Sequence, residues 1–236
     1  MTVSIITIVN KEDVFRGFKE SLEGQNFKGF ELIPVMNMNG EFKGAGEALN
    51  SGAAKATGDL LIFCHPDIRF RSPSALSDIV TQSLKLDGVT GVAGAKETVP
   101  GKREIVTTIV QGERKESVGR PASAPEEVQT LDECMIAVKR DAFARFTERE
   151  GWHLYGAEYC LDAGRRGDKC FAIPSEIWHL SDGKSLDASY VTMLGELIEK
   201  FAELDYIYTT VKAWKCKGSG IYRKYYYFKQ KVKKML

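Results

Sequence analysis

The 236-residue sequence lacks the features that mark several large protein classes. Its five cysteines include no Cys-x-x-Cys pair and no zinc-type spacing, so neither a zinc site nor a disulfide framework is predicted. No apolar run approaches the length of a transmembrane helix, and the first residues lack the basic segment of a secretion signal. The net charge of +1 gives no reason to expect nucleic acid as a partner. Together these absences predict a cytoplasmic protein with reduced cysteines.

The glycine motifs of common nucleotide-binding folds are also missing. There is no Walker motif, and the pair Gly44 and Gly46 lacks the third glycine of a dinucleotide fingerprint, because Leu49 stands in its place. The loop after the first predicted strand, residues 10–13, has no Gly-rich, basic pattern of the kind that nucleotidyltransferases place there. The sequence therefore disfavours dehydrogenases, P-loop enzymes and nucleotidyltransferases.

What the first hundred residues do contain is a regular alternation of apolar runs and helical segments. Short runs, of which Val3–Val9 is rich in β-branched residues, predict strands buried in the sheet at Val3–Val9, Phe30–Met36, Leu60–Cys64 and 89–93. Amphipathic or small-residue helices separate them. This order predicts an α/β fold with a mostly parallel central sheet and helices on both faces.

After Pro100 the pattern is less regular. The polar segment 114–127, rich in Pro, Ser and Glu, predicts a mobile loop. Residues 135–138 predict a strand that leads into a helix beginning near Asp141. Further helices are predicted at 157–165 and 188–204.

The third strand ends on the tripeptide His65-Pro66-Asp67. An Asp just beyond the carboxyl end of a buried strand lies where open α/β sheets bind their ligands. The alternative is an ordinary turn, since Pro and Asp are common turn residues. His179 ends a late strand, and together with Asp67 it offers the carboxylate and imidazole that Mg²⁺ or Mn²⁺ accepts when a diphosphate supplies the remaining ligands.

Several segments, in this order, resemble family 2 glycosyltransferases of the GT-A fold and a bacterial glycosyltransferase-like subgroup of them. The resemblance covers roughly residues 3–182. It is carried by residues 3–10 (VSIITIVN), 49–67 (LNSGAAKATGDLLIFCHPD), 131–140 (LDECMIAVKR), 152–161 (WHLYGAEYCL) and 177–183 (IWHLSDG).

The resemblance implies a site for a nucleotide-diphosphate sugar. Asp67 matches the metal-binding last residue of the family's Asp-x-Asp motif, His65 replaces the first residue of that motif, and His179 matches a late His that completes the metal site. The loop after the first strand would lie against the nucleotide, and Asn37 stands where the family has an acidic residue near the base. The implied donor-binding residues are Thr7, Val9, Glu12, Asn37, Asn50, His65 and Asp67, and the implied ligands of Mn²⁺ or Mg²⁺ are Asp67 and His179.

An inverting transfer needs one carboxylate that removes the proton of the acceptor hydroxyl. The family places this base at the start of a helix, where only Glu158 is acidic in this sequence, so Glu158 is the predicted base. The alternative is a helix-end carboxylate stabilised by the helix dipole. Asp132 and Glu133 are second choices for the base, and His153 and Tyr155 would either line the acceptor site or pack the loop.

The resemblance divides the chain at residues 100 and 205. Residues 1–100 would form the nucleotide-binding half and 101–205 the acceptor half of one domain. Residues 206–236 would form a tail whose part from Lys212 onward carries nine Lys or Arg residues, no acidic residue and several aromatic ones. Such a tail either contacts the inner membrane face peripherally or packs its rings on the domain.

Two functions follow as hypotheses. The first is a metal-dependent, inverting glycosyltransferase acting on a glycan or lipid-linked acceptor. The second is a protein of the same fold that binds a nucleotide as a scaffold without catalysis, which the departures from the family pattern at His65 and Gly156 motivate.

Overall fold

The computed structural model describes residues 2–183 and 188–218. In the first part of the chain, strands and helices alternate as β1 (Val3–Val9), α1 (Glu12–Glu23), β2 (Phe30–Met36), α2 (Ala45–Ala53), β3 (Leu60–Cys64), β4 (Ile68–Phe70), α3 (Ala75–Lys85) and β5 (Val89–Gly91). Strands dominate the next part: β6 (Ala93–Val99), β7 (Lys102–Thr107), β8 (Val110–Gln111), β9 (Glu116–Ser117), β10 (Glu126–Val128), β11 (Thr130–Leu131) and β12 (Met135–Lys139). The last described elements are α4 (Tyr155–Arg165), β13 (Cys170–Ala172), β14 (Ile177–His179), α5 (Ala188–Lys200), β15 (Tyr206–Tyr208) and β16 (Ala213–Lys215).

A seven-stranded sheet forms the centre, with the strand order β10-β13-β5-β12-β3-β1-β2. β1 pairs in parallel with β2 and β3, and β13 pairs in parallel with β5. β12 is antiparallel to both β3 and β5, and β10 is antiparallel to β13. Five of the seven strands therefore run in one direction, which confirms the predicted α/β fold with a mostly parallel sheet.

Both faces of this sheet are covered by helices, because successive residues of a buried strand point to opposite sides. Leu61 and Phe63 of β3 pack in one cluster with residues of α2 and α4. Leu60 and Ile62 pack in another with residues of α1 and α3. The prediction of helices on both faces is confirmed.

Three small sheets complete the described part of the chain, with strand orders β11-β6-β7, β4-β14-β8-β9 and β15-β16. The second of them matters most for the site. β4 begins just after Asp67, and it pairs antiparallel with β14 so that Ile68 lies opposite His179. This pairing brings two segments that are distant in sequence to the carboxyl end of β3.

The helix predicted to begin near Asp141 does not form, and that prediction was wrong. Only a single 3-10 turn, Arg140–Ala142, follows β12. Aromatic packing explains the difference, since the Phe146 ring lies 4.9 Å from that of Phe63 and 4.7 Å from that of Tyr159. These contacts hold the segment against the sheet without regular structure.

The segment 114–127 contains β9 and the start of β10. Its Arg120 bridges Glu104 of β7 and Glu126 of β10 with nitrogen–oxygen distances of 3.1 and 2.6 Å. Hydrogen bonds from Arg120 and Lys96 lower the pKa of Glu126 to about 2. Ion pairs therefore tie this polar segment to neighbouring strands.

The first part of the predicted tail is folded. β15 and β16 form a hairpin whose Ile207 and Trp214 are buried against α4 and α5. Residues 219–236 lie outside the described residues, so the predicted membrane contact of the tail stays a prediction. Among the described residues, no helix has the length and apolar character needed to cross a membrane.

Candidate functional site

The candidate site lies where β3 ends, and two backbone hydrogen bonds converge there. The His65 backbone N–H donates to the carbonyl of Cys134 (3.0 Å), which directly precedes β12. The Leu180 N–H donates to the carbonyl of Asp67 (2.9 Å). These bonds fix the tripeptide 65–67 between the start of β12 and the end of β14, so the turn that the sequence left ambiguous is part of a cluster of polar side chains.

His65, Asp67 and His179 meet at this point. Asp67 Oδ1 lies 3.2 Å from His179 Nε2 and 3.8 Å from His65 Nδ1. One potential ligand atom from each of the three residues lies within 4.8 Å of the others. The sequence analysis selected Asp67 and His179 as ligands of one ion, and the structure places them together with His65 beside them.

These residues fit a divalent cation. Asp67 Oδ1 and His179 Nε2 are buried, and neither has a hydrogen bond of normal geometry to any described residue, although they lie close together. A carboxylate oxygen and an imidazole lone pair at such a distance repel each other unless a proton or a cation lies between them. Carboxylate and imidazole are both ligands that Mn²⁺ accepts.

Asp67 and His179 each favour the charged form of the other. Burial raises the pKa of Asp67, but the neighbouring His179 and His65 outweigh burial, so its pKa lies below its usual range. Burial lowers the pKa of His179, but Asp67 raises it further, so its pKa lies above its usual range. The pKa of His65 is lowered, mainly by burial. An ionised Asp67 beside a largely neutral His65 is therefore the favoured state near neutral pH.

Tyr155, the first residue of α4, connects the cluster to the predicted acceptor side. Its hydroxyl is 3.0 Å from His65 Nε2 and 3.5 Å from the backbone carbonyl of Glu133. Asp132 accepts a hydrogen bond from the Thr210 hydroxyl (2.6 Å) and another from the Cys134 N–H (3.0 Å). Burial raises the pKa of Asp132, but Thr210, His179 and the Cys134 N–H outweigh it and lower the pKa overall. Asp132 and Tyr155 thus lie beside the cluster, and their place on the acceptor side stays a prediction.

Glu133 differs from its neighbour Asp132. It is half-buried, and burial together with the charge of Asp132 raises its pKa to about 8. No ion pair joins Glu133 to a cation within the ranges 2–183 and 188–218. Its carboxyl group therefore ionises only at mildly alkaline pH.

Glu158, the predicted base, is engaged elsewhere. Its side chain is 3% exposed, and its carboxylate contacts Arg149 Nη2 (2.5 Å) and Lys200 Nζ (2.8 Å). The Thr147 hydroxyl donates a further hydrogen bond at 3.0 Å. These partners belong to the loop before α4 and to α5, so the carboxylate is enclosed by cations on the side of α4 that packs on α5. Its assignment as the base remains a prediction.

The predicted nucleotide-side residues of β1 and its loop occupy varied environments. Thr7 and Val9 are buried, and the Thr7 hydroxyl has no hydrogen-bond partner among the described residues. Glu12 is exposed at the start of α1. Asn37 follows β2, where its Oδ1 accepts a hydrogen bond from the Phe42 N–H at 2.8 Å. Asn37 thus shapes the loop between β2 and α2.

Asn50 holds the loop before α4 onto α2. Its side-chain amide donates to the Phe146 carbonyl (2.9 Å) and to Glu148 (2.9 Å), and its Oδ1 accepts from the Phe146 N–H (2.9 Å). Its side-chain nitrogen and oxygen are both used by these contacts, which the sequence did not predict for a residue expected to bind the donor.

Asn50→Ala is expected to destabilise the fold by about 2 to 3 kcal/mol, because it leaves the buried N–H and carbonyl of Phe146 without partners. Urea-induced unfolding measures this loss. Ser51→Ala, at the half-buried neighbouring position, is the matched control and should cost less than about 1 kcal/mol. Equal stability of Asn50→Ala and the wild type would contradict the role given to Asn50 here.

His153 lies in the loop before α4. Its backbone N–H contacts the Met193 sulfur at 3.4 Å, and its ring lies 5.6 Å from that of Tyr190 on α5. Of the two options that the sequence left open, these contacts describe packing of the loop, and contact of His153 with an acceptor stays a prediction.

Sequence analysis missed Arg69, which braces the turn after β3. Its guanidinium donates to the carbonyls of Pro66 (3.0 Å), Ile68 (2.7 Å) and Val14 of α1 (3.1 Å). It therefore fixes the backbone on both sides of Asp67. No sequence pattern predicts this role, because all three acceptors are backbone carbonyls, which every residue has.

Comparison with known proteins agrees with this fold. A model described as a glycosyltransferase-like family matches residues 4–193. A curated protein of Fuscovulum blasticum, described as ATP synthase subunits region ORF 6, is 25% identical over 160 residues, which make up 62% of this chain and 61% of that protein. The chain thus spans less than two thirds of the length of that relative.

Solved structures of glycosyltransferases share the fold at low sequence identity. GalNAc-T7 with UDP, GalNAc and Mn²⁺ superposes with a TM-score of 0.60 at 12% identity, over 84% of this chain and 48% of that one. The mannosyltransferase PcManGT of Pyrobaculum calidifontis with GDP-Man and Mn²⁺ gives 0.58 at 13% identity, over 85% and 63%. S. aureus TarS 1–349 with UDP-GlcNAc gives 0.56 at 16% identity, over 86% and 66%. With a family match that spans most of its length and a GT-A fold, this chain belongs to the glycosyltransferase-like family.

Proposed function

We propose that this protein transfers a sugar from a nucleotide-diphosphate donor to an acceptor hydroxyl, with inversion at the anomeric carbon and with a bound Mn²⁺ or Mg²⁺. The observation that carries the proposal is the cluster of His65, Asp67 and His179 at the carboxyl end of β3, with two buried atoms that face each other without a hydrogen bond. The complexes of GalNAc-T7 and PcManGT with nucleotides and Mn²⁺ support it.

In this mechanism Asp67 and His179 would hold the cation, and His65 lies beside both residues. When bound, the cation would supply positive charge that stabilises the departing diphosphate. His65 donates or accepts a hydrogen bond with a hydroxyl of the donor, since its Nδ1 side is free of the Tyr155 contact. Tyr155 fixes the His65 ring, and Arg69 fixes the backbone that carries Asp67.

The acceptor is proposed to be a cell-surface glycan or a lipid-linked sugar. The part of the tail beyond residue 218, rich in Lys and Tyr, would hold the protein at the inner face of the membrane, where a lipid-linked acceptor lies. This location and this partner are proposals that rest on the sequence of the tail.

Turnover of a panel of UDP-sugars and GDP-sugars tests the proposed function. Release of UDP or GDP is measured with Mn²⁺ present and again with excess EDTA, in the presence of a membrane glycolipid extract as the acceptor source. We expect one donor to react and EDTA to abolish the reaction. Nucleotide binding with no turnover of any donor would instead favour the alternative, a nucleotide-binding scaffold.

A further inference from the structure

Gly156, the second residue of α4, leaves a space that another side chain fills. A Cβ atom at this position would lie 2.8 Å from Ile136 Cδ1 and 3.1 Å from Glu133 Cγ, so position 156 has no room for a side chain unless both Ile136 and Glu133 move. Glu133 therefore lies against the first turn of α4, at the position from which a carboxylate on residue 156 would otherwise emerge.

The surroundings of Glu133 connect it to the metal cluster. It lies between Asp132 and Cys134 in the sequence. The Cys134 carbonyl accepts a hydrogen bond from the His65 N–H. The Glu133 carbonyl lies 3.5 Å from the Tyr155 hydroxyl, which contacts His65. Glu133 thus lies one residue away from the backbone contact that positions the predicted donor site.

Glu133 also differs from Glu158 in its availability. Arg149 and Lys200 both contact the enclosed Glu158 carboxylate, so a proton gained there would disrupt two ion pairs. Glu133 is half-buried, and among the described residues no Lys or Arg pairs with it. A general base must take up a proton at low cost, and protonation of Glu133 breaks no ion pair among the described residues and is favoured by its burial.

We propose that Glu133, and not Glu158, is the general base that activates the acceptor hydroxyl. The inference rests on the proposed function and specifies one residue of it. A Glu133 oxygen takes the proton of the acceptor hydroxyl while that hydroxyl's oxygen donates an electron pair to the anomeric carbon of the donor. The bond from this carbon to the diphosphate oxygen breaks, and its electron pair leaves with the nucleoside diphosphate. Glu133 ends the step as a neutral carboxylic acid and returns its proton to water.

The protonation behaviour of Glu133 agrees with this role. Its pKa of about 8 means that it is mostly neutral below pH 8 and ionised above it, so the fraction of competent base rises with pH. The titratable groups that interact with it are Asp132 and Cys134 on its own segment, and Tyr155 and Cys160 on α4. The pKa values of Cys134, Tyr155 and Cys160 are all raised by burial, so these groups stay neutral while Glu133 titrates.

The test compares Glu133→Gln, Glu158→Gln and the control Glu23→Gln at the exposed end of α1. For each protein, the turnover number is measured between pH 6 and 9.5 with the best donor, along with the affinity for its nucleoside diphosphate with Mn²⁺. We expect the wild-type turnover number to rise with pH through about 8. Glu133→Gln should lower it by at least about 100-fold and remove this rise, while the affinity changes less than about threefold.

Three outcomes would overturn the inference. The first is a Glu133→Gln variant with turnover within a few-fold of the wild type. The second is a wild-type turnover number that does not change between pH 7 and 9. This measurement does not depend on the folding of any variant. The third is a Glu158→Gln variant that keeps its thermal stability and nucleotide affinity but loses turnover. If the wild type neither binds a nucleotide with Mn²⁺ nor turns over any donor, the proposed function itself fails and the inference fails with it.

Discussion

Asp67→Asn is expected to weaken Mn²⁺-dependent binding of UDP or GDP by about 100-fold, which corresponds to about 2.7 kcal/mol. The substitution keeps the size of the side chain but removes the charge of the only carboxylate among His65, Asp67 and His179. The two imidazoles and the diphosphate would then hold the cation without a carboxylate from the cluster. Isothermal titration calorimetry with each nucleotide, in the presence and absence of Mn²⁺, measures the effect.

The matched control is Asp141→Asn. Asp141 is exposed in the turn after β12, beyond the end of that strand opposite the candidate site. Its substitution should leave the affinity unchanged. If Asp67→Asn and Asp141→Asn bind the nucleotide as the wild type does, the cluster has no part in donor binding.

Glu158→Gln has the second large expected effect, which is a loss of stability of about 3 kcal/mol or more. The change leaves Arg149, whose side chain is 18% exposed, and the partly buried Lys200 facing each other without the carboxylate that separates their charges. Removing one partner of a buried ion pair leaves an uncompensated charge, which is costly. Asp162, 2.6 Å from Lys200, compensates only one of the two cations. Chemical unfolding in urea measures the loss.

Glu196→Gln provides the control for this prediction. Glu196 contacts the same Arg149 at 3.2 Å, but its side chain is 52% exposed. An exposed pair contributes little, so this variant should lose less than about 1 kcal/mol. If Glu158→Gln is as stable as Glu196→Gln, the ion pairs around Glu158 are not structural.

The central strands could be read from the sequence because their signal is local. The apolar runs at Val3–Val9 and Leu60–Cys64 are too apolar for a surface position, and their spacing leaves room for a crossover helix. The helix predicted near Asp141 failed for the opposite reason. The rings of Phe143 and Phe146 pack on Phe63, and no local pattern encodes this contact between distant segments.

The position of Asp67 and His179 at the ends of strands was predictable, and their surroundings were not. Asp67 follows an apolar strand and His179 ends one, so each could be placed at the carboxyl end of a strand. The pairing of β4 with β14, which brings them together, depends on long-range register. The direction in which Glu158 points depends likewise on Arg149 and Lys200, which lie nine residues before it and on a different helix. Sequence reasoning placed Glu158 on the right helix, but it could not supply these partners.

A crystal structure of the protein soaked with UDP or GDP and Mn²⁺ would show directly whether His65, Asp67 and His179 form the donor site. Anomalous scattering locates the Mn²⁺ independently of the surrounding density. We expect a single Mn²⁺ bound by Asp67 and His179, with the diphosphate completing its coordination at the end of β3. A nucleotide bound at another place, or a nucleotide bound here with Mn²⁺ away from both residues, would contradict this expectation.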